Sequence, residues 1–260
     1  MITKEQLKKE LQNMGILPTD TVLIHTSLKA VGEVEGGADT FIDAFCEYLS
    51  DGLFLVPTHT WDNVTPEHPS YDVRTERPCI GIVPVVASTR KDGIRSLHAT
   101  HSIWGHGKGA KEFLMGEEDA GSPGAPGFCW SRLADIDAKI LLIGVLHNRD
   151  TFIHSVDEYV DLPNRLGEPF EVTITDWDGS TMKRNFRPHR CSRTNDVSQF
   201  YVNFEKPLIA LGAQQMGKLG NADVRIVDAK RCREIVSGIY RHADEAYFTE
   251  FRDIPEEMYL

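Results

Sequence analysis

The first 60 residues alternate between helical and buried-strand patterns, and this alternation constrains the fold more than any other feature of the sequence. Residues 3–14 predict an amphipathic helix capped by Thr3. Residues 21–25 and 53–57 are apolar runs typical of buried strands, and residues 38–49 between them carry apolar side chains at helical spacing. A helix between two buried strands is a βαβ unit, so the sequence predicts an α/β fold with a parallel sheet covered by helices.

Later segments predict a third central strand and an antiparallel hairpin. Residues 139–145 form another strongly apolar run, and the helix that follows carries His154 and Asp161. Residues 170–177 and 181–186 alternate between apolar and polar side chains, which indicates a hairpin. The remaining predicted segments are a long loop at 61–79, a helix at 81–89, tail helices near 196–204, 206–211 and 228–238, and a short strand at 224–227.

The charge balance limits the classes of partner. The chain of 260 residues suits one domain and has 28 Lys and Arg against 39 Asp and Glu, a net charge of −11. Nucleic acid is disfavoured as a partner because phosphates require a basic surface, whereas a small cationic ligand is compatible. No apolar run reaches the roughly 18 residues of a membrane helix, and the charged N-terminus is unlike a signal peptide. We therefore expect a cytoplasmic protein that binds neither membrane nor nucleic acid.

Four polar clusters follow the predicted strands or lie in neighbouring loops. They are residues 25–27, 58–60, 98–102 and 148–158, and each contains a histidine. The carboxyl ends of parallel strands meet at the sheet edge where α/β proteins bind ligands. We therefore expect the four clusters to converge on one site.

Metal binding is not predicted by the spacing of the histidines. His98 and His101 lie three residues apart, but the chain has no H-E-x-x-H and no carboxylate spaced with them as in zinc motifs. His189 and Cys191 form a weak pair of nitrogen and sulfur ligands, more typical of the end of a surface hairpin. The five cysteines include no C-x-x-C pair, which disfavours both a disulfide framework and a Cys-rich zinc site.

A serine or cysteine nucleophile is not favoured either. Ser27 and Ser102 have histidines nearby, but neither lies in a G-x-S-x-G motif. Cys129 follows a Gly/Pro loop, yet the sequence places no base beside it, and a lone cysteine is usually an inert, small apolar residue. Residues 27–37 run from a strand into a helix start, where backbone N–H groups could bind a pyrophosphate.

An acid–base pair is predicted on the helix after the third strand. His154 shares one helical face with Asp157 and Glu158, which follow it by three and four residues. A carboxylate at that distance orients an imidazole and raises its basicity, so His154 is a candidate general base. The spacing leaves open which of the two acids is the partner.

Several uncommon motifs occur in one order along the chain. They are His25-Thr-Ser-Leu28 with Val31-Gly32 and Gly36-Gly37, Leu55-Val-Pro-Thr-His-Thr60, Arg95-Ser-x-His98-x-x-x-Ser102-x-x-Gly105, Leu141-Leu-Ile-Gly-Val145, Asp150-Thr-x-x-His154-x-x-Asp157, and Gly217-x-x-Gly220-x-Ala222. In order and spacing, over about residues 1–165 and loosely beyond, this set resembles the aminoglycoside 3-N-acetyltransferase family.

The resemblance implies an α/β fold in a single acetyltransferase domain over residues 1–260, with a central mixed, largely parallel sheet flanked by helices and an added antiparallel hairpin sub-lobe. It implies that acetyl-CoA is the co-substrate, that no metal is needed, and that the acetyl group moves by direct attack to the 3-amino group of a 2-deoxystreptamine ring. The catalytic base maps onto His154, with Asp157 or Glu158 as the acid that orients it. The residues implied to contact CoA are His25, Ser27, Leu28, Val31, Gly32, Thr58, His59, Thr60, Ser96, His98 and Ser102.

The acceptor is less determined than the chemistry. Residues 165–205 depart most from the family pattern and form the variable sub-region on the acceptor side. A related acyl-CoA N-acyltransferase with another amine acceptor is one alternative, and a hydrolase that uses Cys129 or a metal is another. A small cationic amine is the expected partner, and a monomer or homodimer is the expected assembly. The acids expected to bind the amine are Asp62, Glu67, Asp72, Asp161 and Asp178.

Overall fold

Strands β1, β2 and β6 form the centre of the fold. The structure is a computed structural model that describes residues 1–190, 194 and 196–259. The strands are β1 (Thr21–Thr26), β2 (Leu53–Pro57), β3 (Ser70–Asp72), β4 (Ile94–Arg95), β5 (Ile103–Gly107), β6 (Lys139–Ile143), β7 (Phe170–Thr175), β8 (Thr181–Phe186), β9 (Gln214–Leu219) and β10 (Ala222–Asp228). The α-helices are α1 (Lys4–Asn13), α2 (Leu28–Val31), α3 (Gly37–Tyr48), α4 (Ile82–Thr89), α5 (Ala110–Leu114), α6 (Cys129–Arg132), α7 (Phe152–Tyr159), α8 (Glu205–Ala210), α9 (Ala229–His242) and α10 (Ala246–Thr249). Short 3₁₀ helices span Glu117–Asp119, His147–Arg149, Val197–Phe204 and Glu256–Met258.

The centre of the sheet confirms the predicted βαβ unit. β1 pairs in parallel with β2 on one side and with β6 on the other, so that Leu23 lies opposite Leu55 and Ile140. The N-terminal helix starts as predicted, because the Thr3 side chain accepts a hydrogen bond from the backbone N–H of Gln6. The predicted fold class, α/β with helices flanking a central mixed sheet and an added hairpin, is confirmed.

The expectation that the sheet is largely parallel is wrong. Among the described residues the sheet has seven strands in the order β4-β5-β2-β1-β6-β10-β9. Only the β2–β1 and β1–β6 pairs are parallel, and the outer strands β4, β5, β10 and β9 are antiparallel to their neighbours. β5 and β9 carry Gly, His, Lys and Gln, since they lie towards the rims of the sheet, and they lack the apolar runs that mark the central strands.

The predicted hairpin is confirmed, and the structure adds a third strand to it. β7 and β8 pair antiparallel from Phe170 opposite Phe186 to Thr175 opposite Thr181. β3 pairs in parallel with β7, although the sequence predicted only a loop over residues 61–79. This small sheet has its own apolar cluster, which includes Tyr71 and Val172. The second sheet therefore ties the long loop after β2 to the hairpin.

Two apolar layers cover the faces of the central sheet. Alternate strand residues point to opposite sides, with Val22 and Ile24 in one cluster and Leu23 in the other. The first layer packs α1, α3 and α4 on the sheet, and the second packs α6, α7 and α9. None of the helices in the part of the chain that the structure describes is long and apolar enough to span a membrane.

Helix α7 is shorter than the sequence predicts. It covers Phe152–Tyr159, so it carries His154 as expected but ends before Asp161. Asp161 has φ +51°, in the left-handed region, and this backbone conformation cannot continue a right-handed helix. The buried face of α7 includes Phe152, Val156 and Asp157, and the carboxylate of Asp157 is therefore held inside the protein.

Candidate active site

A cavity of about 680 Å³ opens at the carboxyl ends of the three parallel strands. β1 contributes His25 and Thr26, β2 contributes Pro57, and Val145 follows β6. The remaining walls come from the loop after β2, the start of α4, the segment before α7 and the end of the hairpin. This is the sheet edge at which the four polar clusters were expected to meet, and a histidine of each cluster lines the cavity: His25, His59, His101 and His154.

Three of these histidines surround the indole of Trp130. The ring of His25 stacks 6.0 Å from Trp130, and the ring of His59 meets it edge-on at 5.4 Å. His101 lies 4.5 Å from His59, and its carbonyl oxygen accepts a hydrogen bond from the Trp130 indole N–H. Burial lowers the pKa of His25 to about 4 and lowers the pKa of His59 and of His101 well below the usual value. This wall is therefore uncharged at neutral pH.

Two ring nitrogens on the same wall lack a hydrogen-bond partner in the part of the chain that the structure describes. They are the Nε2 atoms of His25 and His59, and both are buried. A buried polar atom without a partner is costly, and native sites commonly satisfy it with a ligand. Both residues line the cavity, and their contact with CoA stays a prediction.

Arg95 organises the loops behind this wall. It is 2% exposed, and its guanidinium donates to the Thr58 carbonyl at 3.0 Å and to the Glu76 carbonyl at 2.6 Å. Its Nε also contacts the hydroxyls of Thr58 and Ser102, which lie 2.9 Å apart. The Arg-Ser-x-His motif therefore fixes the ends of β2 and of the 96–102 segment from inside the protein.

Six residues expected to contact CoA are buried behind the cavity wall. His98 is an example, since its Nε2 donates to the Ser122 carbonyl at 3.1 Å and its Nδ1 accepts from the N–H of His101 at 2.9 Å. The same interior placement holds for Val31, Thr58, Thr60, Ser96, His98 and Ser102. These six residues are enclosed, and the polar side chains among them bond to the protein, so direct contact with CoA stays a prediction for them.

The turn after β1 is half-buried and largely satisfies its own backbone. Ser27 caps α2, with its hydroxyl accepting from the N–H of Ala30 at 3.3 Å. The N–H of Ser27 donates to Ile143, and the N–H of Gly32 donates to Leu28. Internal bonding of these N–H groups argues against the pyrophosphate cradle expected here. Ser27, Leu28 and Gly32 are each partly exposed to solvent.

His154 is joined to Asp157 through a tyrosine. The Tyr201 hydroxyl lies 2.6 Å from Nδ1 of His154 and 2.5 Å from Oδ2 of Asp157, whereas the direct distance between His154 Nδ1 and Asp157 Oδ2 is 3.7 Å. Burial works to raise the pKa of Asp157, but the neighbouring His154 and Arg165 hold this pKa below its usual value. Burial and the adjacent Asp157 charge raise the pKa of Tyr201 well above its usual value. The acid is therefore ionised and the phenol protonated.

These protonation states fix the tautomer of His154. Tyr201 has one hydroxyl proton, and it goes to the ionised carboxylate of Asp157. Nδ1 of His154 must then donate its own proton to the Tyr201 oxygen. Nε2 of His154 keeps a lone pair, on a residue that lines the cavity. This is the arrangement of a general base oriented by a buried acid.

The carboxylate of Glu158 contacts a different histidine, His189. This carboxylate accepts from the N–H of Gly124 at 2.7 Å, contacts the Ser122 hydroxyl, and lies 2.8 Å from Nε2 of His189. A Cβ at Gly124 would lie 2.6 Å from Cα of Ser155, so only glycine allows this loop to approach α7. The spacing left open which acid is the partner of His154. In the structure Asp157 is linked to His154, and Glu158 contacts His189.

The sequence missed two residues of this cluster. Tyr201 lies 47 positions from His154 and carries no local signal. His189 was assigned to a surface hairpin end, but its ring lies 4.0 Å from that of His154 and it lines the cavity. The only sequence signal for His189 was its spacing of two residues from Cys191, and Cys191 lies outside the described residues.

Donor atoms of His154, Asp157 and His189 lie within 4.8 Å of one another, close enough to share a metal ion. The Tyr201 hydroxyl stands between His154 and Asp157, and Nε of Arg165 lies 3.7 Å from the same carboxylate oxygen. A guanidinium beside the acid opposes a divalent cation there. The cluster is better suited to holding and moving protons.

The carboxylates expected to bind a cationic amine lie away from the cavity wall. Asp72 pairs with Arg74 at 2.7 Å, and the Asp178 carboxylate accepts from the N–H of Ser180 in the hairpin turn. None of the five lines the cavity among the described residues, and their role in binding an amine stays a prediction: Asp62, Glu67, Asp72, Asp161 and Asp178. The acids that do line it are Asp150 and Asp196, at the start of the segments that carry His154 and Tyr201.

Comparisons with known proteins bear on the fold and on the family. The chain is 26% identical over 254 residues to aminoglycoside N(3)-acetyltransferase IX of Micromonospora chalcea, which covers 88% of this chain and 89% of that protein. The crystal structure of aminoglycoside acetyltransferase AAC(3)-Xa superimposes with a TM-score of 0.80 at 24% identity, over 95% of this chain and 94% of that one. The binary complex of AAC-IIIb with CoASH gives a TM-score of 0.77 at 20% identity, over 89% and 93%. These two likenesses establish the fold.

The family follows from a match that spans most of the chain. The sequence model for aminoglycoside 3-N-acetyltransferase matches residues 23–240. That range runs from β1 through α9 and includes the whole His154, Tyr201 and Asp157 cluster. The chain therefore belongs to the aminoglycoside 3-N-acetyltransferase family.

Proposed function

We propose that this protein transfers the acetyl group of acetyl-CoA to the 3-amino group of the 2-deoxystreptamine ring of an aminoglycoside, with His154 as general base. The observation that carries the proposal is the chain of hydrogen bonds from His154 through Tyr201 to Asp157, on the wall of a cavity at the carboxyl edge of the sheet. Family membership supports the reaction class.

The uncharged wall of the cavity suits the donor. Bound acetyl-CoA supplies an acetyl group activated as a thioester, and a similarly folded protein, AAC-IIIb, has been solved with CoASH. The partnerless Nε2 atoms of His25 and His59 offer polar contacts to a neutral, extended ligand without placing a charge beside it. A cavity of about 680 Å³ is large enough for a reacting group and part of its carrier.

His154 handles the proton of the attacking amine. Nε2 of His154 accepts the proton as nitrogen attacks the thioester carbonyl, and the imidazolium that forms is stabilised by the negative charge of Asp157. Tyr201 transmits this stabilisation by keeping Nδ1 of His154 as a donor. Asp157 and Arg165 are buried, so these two charges are already in place before the reaction. Little free energy is then lost to reorganisation of solvent around them.

The acceptor side consists of the sub-region that follows α7. The hairpin end and the start of the 3₁₀ helix Val197–Phe204 form one wall of the cavity through Phe186, Pro188, His189 and Asp196. Asp196 on this wall and Asp150, which precedes α7, line the cavity, and together with the net charge of −11 they favour a cationic amine.

An acyl-CoA N-acyltransferase with another amine acceptor is the second candidate. The observation that favours it is that none of the five surface acids expected to recognise an aminoglycoside lines the cavity among the described residues. An acceptor with fewer amino groups would need fewer carboxylates. The chemistry at His154 is the same in both cases.

An acceptor panel tests the proposal. Purified protein is incubated with acetyl-CoA and 2-deoxystreptamine aminoglycosides, linear polyamines or arylamines, and thiol release is followed. The proposal predicts release with aminoglycosides, acetylation at N3 by NMR of the product, and activity that survives a chelator and a thiol alkylator. Turnover with polyamines or arylamines alone would favour the second candidate, and thioester hydrolysis that a chelator abolishes would contradict both.

A further inference from the structure

We infer that His189, held by Glu158, is a second proton acceptor of the same site, which takes the first proton from the acceptor ammonium before His154 takes the second. The inference rests on the proposed function and adds a catalytic residue to it. It is carried by the position of His189, whose ring lies 4.0 Å from that of His154 on the wall of the cavity.

The reaction must dispose of two protons. An aliphatic amine is an ammonium ion at neutral pH, since its pKa resembles the roughly 10 of a lysine side chain. When R–NH₃⁺ reacts with the thioester, the N–C bond forms, the C–S bond breaks, and the products are the amide, the thiol of CoA and one free proton. The first proton must leave before the amine can attack, and the second leaves as the N–C bond forms and goes on to the departing sulfur. Two adjacent bases allow the first proton to be taken at the site while His154 stays neutral and ready for the second.

His189 is built as a proton acceptor in its own right. Its Nε2 lies 2.8 Å from Glu158, and an ionised carboxylate there requires Nε2 to carry the proton. Its Nδ1 is buried and has no hydrogen-bond partner among the described residues, so this nitrogen is left to accept a proton. His189 is therefore oriented by an acid, as His154 is, and it is the other member of a matched pair of bases.

The carboxylate of Glu158 is held by two further hydrogen bonds. Gly124 and Ser122, on the loop between α5 and α6, donate to it, Gly124 to the same oxygen, Oε1, that lies 2.8 Å from His189. Burial works to raise the pKa of Glu158, but hydrogen bonds from His189, Ser122 and Gly124 hold this pKa below its usual value. The carboxylate is ionised at neutral pH and can stabilise an imidazolium at His189.

The charges around His189 favour sequential use of the two histidines. His154, Asp157 and Glu158 face it from α7, His101 from the 96–102 segment, Tyr201 from the following 3₁₀ helix, and Arg190 adjoins it in the chain. Burial and the neighbouring His154 lower the pKa of His189, and Glu158 opposes this shift. His189 is thus neutral at the pH of the reaction. Two imidazolium rings at 4.0 Å would repel, so His189 must release its proton to solvent before His154 is charged.

The pH dependence of His189→Gln tests the inference. Without this base, the variant reacts only with amine that has already lost a proton in solution. Near neutral pH, kcat/KM of the variant should be about 100-fold below that of the wild type, which is the smaller effect expected for loss of a general base. This difference should shrink about tenfold per pH unit as the pH approaches the pKa of the acceptor amine. Glu158→Gln should show the same trend with a smaller deficit, and the exposed His242→Gln should match the wild type throughout.

The outcomes separate this inference from the proposed function. A deficit for both His189→Gln and Glu158→Gln that stays constant across pH would assign these residues to structure or binding and overturn the inference, while the acetyl transfer itself would stand. A deficit that vanishes at high pH in either variant supports it, and Glu158→Gln gives the answer if His189→Gln does not fold. Wild-type protein that transfers no acetyl group to any amine would refute both proposals.

Discussion

Replacement of Tyr201 by phenylalanine isolates the link between His154 and Asp157. The change removes one hydroxyl that contacts both His154 Nδ1, at 2.6 Å, and Asp157 Oδ2, at 2.5 Å. The ring keeps its place, because it is fully buried and packs near Phe204. The variant therefore tests the hydrogen bonds and leaves the apolar packing intact.

The expected magnitude follows from the charge on Asp157. A hydrogen bond to a charged group contributes about 1.5–3 kcal/mol, so the free energy of unfolding should fall by about that amount. His154 would lose the acceptor that fixes its tautomer, and its direct distance of 3.7 Å to Asp157 is too long for a hydrogen bond. We expect kcat to fall about 10–100-fold, which corresponds to about 1.4–2.8 kcal/mol in the barrier.

Tyr48→Phe is the matched control. The Tyr48 hydroxyl donates to the Ile16 carbonyl at 2.6 Å, neither residue lines the cavity, and loss of this bond should cost about 1 kcal/mol of stability. The assays are steady-state thiol release and urea denaturation of both variants. If Tyr201→Phe kept kcat within twofold while losing stability like Tyr48→Phe, the proposed relay would be wrong and Tyr201 would be a packing residue.

Three further perturbations test other parts of the site. Cys129→Ser should keep most of the turnover, because burial raises the pKa of this thiol well above its usual value and Sγ contacts the Phe113 carbonyl; loss of all activity in a folded variant would contradict this. Gly124→Ala should destabilise the fold by about 1–3 kcal/mol, since its Cβ would meet Ser155, and an unchanged urea midpoint would count against the packing described here. Acidification from pH 7 to 5 should reduce stability by about 2 kcal/mol for each of His25 and His98, whose pKa burial lowers to about 4: the unfolded chain binds the protons at about pH 6.5 and the folded chain does not. A stability that is flat over this range in urea titrations would show that these histidines are not buried in neutral form.

The sequence predicted the central strands because their apolar runs are buried on both faces. β1, β2 and β6 lie between two helical layers, so period and composition identify them directly. β5 and β9 could not be recognised, since strands towards the rims carry polar side chains and glycine. The direction of a strand is set by the path of the chain outside it, and no local pattern encodes that path.

The site could be predicted in location more readily than in detail. The sheet edge follows from strand order, and His154 with Asp157 follows from helical spacing. The hydroxyl that joins them comes from Tyr201, whose approach depends on tertiary packing. The motif at Arg95 pointed to a segment near the cavity, but its side chains are buried behind the cavity wall. A sequence motif does not reveal which side of a loop faces solvent.

The most direct test of the central claim is the pH–rate profile of His154→Ala with a good aminoglycoside acceptor. The account predicts that kcat falls by about 10²–10⁴ and that the dependence of the rate on pH changes, because the general base is missing. Affinity for CoA, measured by calorimetry, should change little, since the cavity walls at His25 and His59 remain. Near-full turnover in His154→Ala with the pH profile unchanged would contradict the claim that His154 is the base.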